Sequence, residues 1–476
     1  MSTLRSESGS NRTSGGGPTT RRRQYANGND ADGESWFHIP NSPKLKFLFK
    51  VLMAEFITID LCTKKILTVN GKFPGPTLKA SRGDSLIIQF HNKAEYNITL
   101  HWHGVRQPRN PWSDGAEYVN QCPIRPGEKF TYKPYAEVPI ILGEWWKENV
   151  MDIPRNANKT GGEPILSDAY TINGQPGDLY PCSKQETFRM NVKHGERYLL
   201  RIVSAIMDEN VFFSIAHHKF TLVGTDGFYT RPFQIDYIMI TPGQSMDVLL
   251  EADQLSSRLY YMAARAYSSA FGAGFDKTTT TGILQYGRAS DHSSSPVFPR
   301  LPPYNSTRAS TEFSRRLRSL ASREHPIDVP LKVDTHLFFT VSVNLIDCRG
   351  SCARVLWQKF DYTGKNLPDN LLTPDFGTRA LVLEYNASIE LILQGTNVLA
   401  SDNHPIHLHG YGFYVVGWGF GNFDPEKDPL GYNLVDPPQE TTVGIPNNGL
   451  VAIRFRADNP GFGCCTVIWR GIKAGE

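Results

Sequence analysis

The feature that most constrains this chain is a run of short apolar segments cut by turn formers, which starts near Val51 and continues almost to the end. Ser85-Leu-Ile-Ile-Gln-Phe90, Tyr198-Leu-Leu-Arg-Ile-Val203, Asp247-Val-Leu-Leu-Glu251, Ala380-Leu-Val-Leu-Glu384 and Ile389-Glu-Leu-Ile-Leu393 are each five or six residues long. Pro74-Gly75-Pro76, Pro126-Gly127, Asn173-Gly174 and Pro242-Gly243 fall between such runs. Segments of that length fit strands and are too short for helices, and long amphipathic helical periodicity is missing. The pattern predicts an all-β protein of sandwiches or barrels. At roughly 150 residues per domain, 476 residues make about three domains.

Charge and hydropathy narrow the class. Lys+Arg number 50 against 47 Asp+Glu, too even a balance for a binder of nucleic-acid backbone. No segment approaches the roughly 18 apolar residues of a membrane-crossing helix; the apolar stretch from Leu45 to Phe56 is broken by Lys46, Lys50 and Glu55. Neither nucleic acid nor membrane is therefore expected as a partner, and nothing here fixes an oligomeric state. Composition sets the boundaries: a disordered polar tail at 1–50, domains at 51–133, 134–288 and 331–476, and a Ser-, Arg- and Pro-rich linker at 289–330. The tail carries Arg21-Arg22-Arg23 and no apolar core of the kind a secretory signal needs. Seven cysteines are too few for a disulfide scaffold, yet five Asn-x-Ser/Thr sequons, at Asn11, Asn97, Asn158, Asn305 and Asn386, lean towards an oxidising, extracellular setting.

Five of the thirteen histidines fall in two windows, His101-Trp-His103-Gly104 and His404-Pro-Ile-His407-Leu-His409-Gly410. On a strand, Tyr96, Ile98, Leu100 and Trp102 share one face, and Asn97, Thr99, His101 and His103 share the other. His407 and His409 likewise share a face, with Ile406 and Leu408 behind them. Residues i and i+2 lie roughly 6.6 Å apart along a strand, which is awkward for one small ion and suits two neighbouring ions. Two such pairs could face each other across a domain interface and hold a metal cluster. His404 has the opposite parity and would serve a different ion. Imidazole suits copper, zinc, iron and nickel alike, so residue type alone does not choose the element. His217, His218 and His336 read as core or strand-edge residues.

From about Leu61 to Gly461 the chain resembles the plant laccases, a branch of the multicopper oxidases. The stretches that carry the resemblance are Thr68-Val-Asn-Gly-Lys-Phe-Pro-Gly-Pro-Thr77, His101-Trp-His-Gly-Val-Arg-Gln107, Asp114-Gly115 with Gln121-Cys-Pro-Ile124, Gly143-Glu-Trp-Trp146, Tyr170-Thr-Ile-Asn-Gly174, His404-Pro-Ile-His-Leu-His-Gly410, and Gly419-Phe-Gly-Asn-Phe-Asp-Pro425 with Asn433-Leu-Val-Asp-Pro437. The resemblance implies three cupredoxin-like Greek-key β-sandwich domains. It implies four copper ions: a blue type 1 copper that oxidises phenols one electron at a time, and a type 2/type 3 cluster that reduces O2 to water. Small phenols such as monolignols and O2 would be the partners, and a secreted, apoplastic glycoprotein the setting. Carried over by motif, His101 and His407 match the type 2 ligands, His103 and His409 give one ligand to each type 3 copper, and His404 is a type 1 ligand. No catalytic residue is expected beyond these metal ligands.

The chain also departs from the family. After Lys133, where the family continues into a second His-x-His segment, the sequence runs into Pro134-Tyr-Ala-Glu-Val-Pro-Ile140, which resembles the start of the second domain. After Asp458-Asn-Pro-Gly461, where the family has His-Cys-His, the chain reads Phe462-Gly-Cys464-Cys465-Thr466-Val467. The first and third domains are therefore expected to be incomplete, short of closing strands and less stable. The type 1 site keeps one of two histidines and lacks its cysteine; Cys464 and Cys465 have no flanking histidines to make them a replacement. By the family's pattern Cys62 bridges to Cys182, and Cys122 has lost a partner; Cys348 and Cys352 are close enough to form a small loop. The expectation is a laccase by family with impaired turnover. The alternative is a non-catalytic cupredoxin-fold protein with weak residual copper binding, and a zinc hydrolase is more distant because no acid is placed as a general base.

Overall fold

The computed structural model describes residues 44–57, 63–78, 85–103, 114–115, 122–132, 140–160, 164–180, 183, 187–255, 258–270, 274–286, 295–323, 326–341, 381–396, 402–461 and 465–467. The apolar runs at 85–90, 198–203, 247–251 and 389–393 fall in strands, as their length requires, whereas 381–384 is a mostly exposed connection that forms none. Among the described residues two α-helices interrupt the strands, Asp152–Thr160 and Thr307–Arg316. None of the described helices is long and apolar enough to cross a membrane.

In the first domain one sheet runs, edge to edge, Thr63–Val69, Lys44–Ile57, Ser85–Asn92, Lys129–Tyr132. Among the described residues Leu78, Ile88, Phe90, Ala94 and Ile124 form its core. The second domain stacks two sheets. One runs Phe228–Ile235, Phe220–Thr225, Ser245–Glu251, Arg197–Ala205, Ile140–Trp145, Ala169–Ile172; the other Ile238–Ile240, Asn210–Ile215, Leu259–Tyr267, Thr279–Tyr286, Arg189–Val192. Val211, Phe212, Phe213 and Ile215 pack with Leu200, Ile202, Leu222 and Val248 in the core between them. The third domain pairs Thr335–Val341, Ser388–Gly395, Gly449–Arg456, Phe413–Phe420 and Gln439–Glu440 in one sheet, and Thr442–Ile445, His404–Leu408 and Cys465–Val467 in a second. Among the described residues the first domain thus shows one sheet where the others show two.

Three details differ from the composition-based reading. Residues 44–50, assigned to the tail, belong to the Lys44–Ile57 strand, which pairs in parallel with Ser85–Asn92; the lysines that lowered the apolar content of Leu45-Lys-Phe-Leu-Phe-Lys50 do not stop it extending. The remainder of the tail lies outside the described residues. Much of the linker is built onto the second domain. Val297 exchanges backbone hydrogen bonds with Leu259 and Tyr261. Ser306 caps the Thr307–Arg316 helix through its Oγ, which accepts the Ala309 N–H at 3.3 Å. Leu301, Ala309, Phe313 and Leu317 enter the second core; their spacing of four or eight residues is diluted by Ser and Arg, so composition hid it. Finally, the tail after Gly461 supplies a strand to the third domain: Cys465–Val467 pairs antiparallel with His404–Leu408. The Cys62–Cys182 and Cys348–Cys352 pairings lie outside the described residues.

Candidate metal centre

The segment ahead of His101 makes a single bridge, Ile98 with Ile124, rather than a regular ladder. The expected alternation holds for Ile98, Leu100 and Trp102, which pack against the first core, while Tyr96 is not among the residues of that cluster. His407 is held more firmly: its strand lies between Thr442–Ile445 and Cys465–Val467, with Ile406 and Leu408 in the third core. The two windows meet. Ring centroids lie 5.5 Å apart for His101 and His407, 4.4 Å for His101 and His409, and 3.9 Å for His103 and His407. Two sets of donor atoms fall within 4.8 Å of one another: His101, His103 and His407, and His101, Asp114 and His409. His404 is buried in the same strand and belongs to neither set.

The hydrogen bonds assign the tautomers. His101 Nδ1–H donates to the Asp114 carbonyl at 2.8 Å, and its Nε2 is buried without a hydrogen-bond partner. His407 Nδ1–H is shared between the Thr441 carbonyl at 2.9 Å and Thr442 Oγ1 at 3.0 Å. His409 Nδ1–H donates to Asp114 Oδ2 at 2.7 Å. Each of these rings is thereby fixed with its Nε2 lone pair available for a metal, the arrangement in which an outer carboxylate or carbonyl orients a ligating imidazole. Two of the Nε2 atoms meet hydroxyls: Thr442 Oγ1 lies 3.1 Å from His103 Nε2, and Thr466 Oγ1 lies 3.4 Å from His409 Nε2.

Burial favours the uncharged form of His101, His103, His404 and His407. It lowers His101, with the neighbouring His409 adding to the effect and Asp114 opposing it. Burial, then His101 and His409, lowers His103 to about 3. His407 is pushed well below the ordinary value by burial and by the other three rings, and His404 to about 4 by burial alone. Neutral imidazole is the form that ligates, so the donor set fits a borderline transition-metal ion such as copper.

Sequence reasoning placed the four histidines together but missed their supports. Asp114 was visible only as part of a motif; here it touches two of the rings, through its carbonyl and its carboxylate. The turn that carries it needs Gly115, at φ +85°, because a Cβ there would collide with the Leu100 carbonyl. Behind Thr441 and Thr442 stands Asp226 of the second domain. Its Oδ2 accepts the Thr441 and Thr442 N–H groups at 2.9 and 3.0 Å and the Thr441 hydroxyl at 3.2 Å, and its Oδ1 accepts the Ser245 N–H at 2.8 Å. No local signal ties residue 226 to residue 441.

Comparison with known proteins identifies the family. Family profiles described as multicopper oxidase match residues 53–161, 136–289 and 354–465. Laccase-14 of Arabidopsis thaliana is 54% identical over 486 residues, covering 84% of this chain and 84% of that protein. Laccase-3 of Oryza sativa subsp. japonica is 42% identical, covering 84% and 86%. Among solved structures, the laccase from Botrytis aclada superposes with a TM-score of 0.71 at 25% identity, over 91% of this chain and 86% of its own. Fet3p, a multicopper oxidase that functions in iron import, shares the fold with a TM-score of 0.68 at 19% identity, over 90% and 88%.

Proposed function

Because this chain belongs to the plant laccases of the multicopper oxidase family, we propose that its histidine cluster holds copper and that its reaction is the oxidation of small phenols, monolignols and lignin-derived phenols among them, coupled to reduction of O2 to water. The observation that carries this reading is the convergence of four imidazoles from two domains, with the Nδ1–H of His101 and of His407 each donated to a backbone carbonyl. His101 and His407 would form the principal copper site, with His103 and His409 beside it and His404 at a separate ion. When bound, copper supplies the one-electron acceptor for phenols and the centre at which O2 is reduced. The protein supplies orientation and low polarity: Asp114 aligns His101 and His409, and Thr441 aligns His407. Secretion to the apoplast goes with this reading.

Turnover by the chain as it stands is impaired in this reading. No histidine occurs between His103 and His194, and none among residues 462–476. The alignment with Laccase-14 runs over 486 residues yet covers 84% of 476, so stretches of that relative have no counterpart here. Phenol oxidation needs an unbroken electron path from substrate to O2, and groups that act as one unit fail non-additively. The test uses four proteins: the chain itself, a second His-x-His segment restored after Lys133, a His-Cys-His segment restored after Gly461, and both together. Phenol-dependent O2 uptake with copper present should appear only in the last. Robust turnover by any of the other three would refute the impairment, and none by the double restoration would refute the laccase reading.

A further inference from the structure

The four inward nitrogens are not equivalent. His101 Nε2 is buried with no hydrogen-bond partner, and among the described residues no hydrogen bond reaches His407 Nε2. His103 Nε2 and His409 Nε2 each face a threonine hydroxyl. Thr442 Oγ1 is committed on both sides. A lone pair takes the His407 Nδ1–H at 3.0 Å, and the hydroxyl keeps one proton that it can give to His103 Nε2 at 3.1 Å. Thr442 is fully buried and cannot turn to water for a substitute partner. Its backbone is fixed as well: the N–H donates to Asp226 Oδ2 and the carbonyl accepts from Gln244 Nε2.

Thr466 does the same more loosely, its hydroxyl donating to His409 Nε2 at 3.4 Å. The residue comes from the stretch after Gly461 in which this chain departs from the family, and it pairs with His407 across the two strands.

We propose that the Thr442 and Thr466 hydroxyls cap His103 and His409, so that this chain binds a single metal ion through two imidazoles, His101 and His407, rather than a cluster. The inference rests on the reading of the histidines as copper ligands. His103 lies close enough to join the same ion, since its donor atom falls within 4.8 Å of those of His101 and His407. Thr442 therefore acts as a positioning residue that holds His103 back. Thr442→Val keeps the shape of the side chain and removes the cap, while His407 keeps its bond to the Thr441 carbonyl. One neutral hydrogen bond corresponds to a change of about two- to tenfold in affinity.

The experiment is Cu2+ titration of the full chain, with pulsed electron paramagnetic resonance to count coordinated imidazoles. The native chain should bind one ion that depends on His101 and His407, with two imidazoles. Thr442→Val should show three imidazoles and bind about two- to tenfold more tightly; Thr442→Ser, which keeps the hydroxyl, should behave as native. More than one such ion or three imidazoles in the native chain, or an unchanged count in a folded Thr442→Val protein, would overturn the capping role. The His101→Ala/His407→Ala double variant separates the two readings. If it still binds like the native chain, the copper reading itself fails; if it loses the ion while Thr442→Val changes nothing, only the capping fails.

Discussion

Replacing Asp226 by alanine should unlock the third domain from the second and loosen His407 at the same time. The carboxylate accepts two buried backbone N–H groups, from Thr441 and Thr442, a partly buried one from Ser245, and the Thr441 hydroxyl. Leaving a buried donor without an acceptor costs about 1–3 kcal/mol each. Part of this is offset, because burial raises the Asp226 carboxyl above its ordinary range and the substitution removes that strain on the folded state. The net loss should be about 3–5 kcal/mol, with Asp226→Asn milder because one amide oxygen still accepts. In a protein of several domains a single unfolding free energy is ill defined, so the assay should be local. Hydrogen exchange at the Thr441 and Thr442 amides should accelerate by at least a hundredfold, while amides of the Asn210–Ile215 strand, inside the second core, stay protected. Copper affinity at His101 and His407 should fall about tenfold or more, as for other lost outer supports of a ligand. Unchanged exchange at residues 441 and 442 in a folded Asp226→Ala protein would refute the argument.

Three further outcomes are expected. Copper loading should give no intense visible band, since His404 stands apart from the other four rings and no His-Cys-His segment is present; a strong blue absorption would contradict this. Copper should stay bound below pH 6, because burial holds His101 and His407 below the ordinary imidazole value and protons compete only once those lowered values are reached; release between pH 7 and 6 in equilibrium dialysis would count against the burial of the pair. Glu440 is raised well above the usual carboxylate range by burial and then by Asp226. The folded state thus holds a proton that the unfolded chain releases, and stability is lost as pH rises from the unfolded value towards the folded one. Glu440→Gln should flatten that decline in denaturation midpoints measured from pH 5 to 9, and an identical slope would show that another group causes it.

The parts of this protein that could be read from its sequence are those set by local rules. Strand-length apolar runs gave the sheets, and the two-residue parity around His101 and His407 gave the side from which the rings project. The helix at Thr307–Arg316 was concealed because its buried residues, Ala309, Ser310 and Phe313, are few and lie among arginines and serines. Asp226-Gly227 would be legible as a tight turn, with φ of +47° and +78° in the positions that Asp and Gly tolerate. That its carboxylate clamps Thr441, 215 residues away, was not, since that contact depends on how two domains dock.

The same division explains why the histidines alone understate the site. A motif records which side chains face inward; it does not record which of their nitrogens is occupied. His103 and His409 sit in positions as good as those of His101 and His407, yet each faces a threonine hydroxyl, one on a strand that also supports His407 and one on the Cys465–Val467 strand. The metal capacity of this chain is then set less by the number of imidazoles it retains than by two threonines that no ligand count includes.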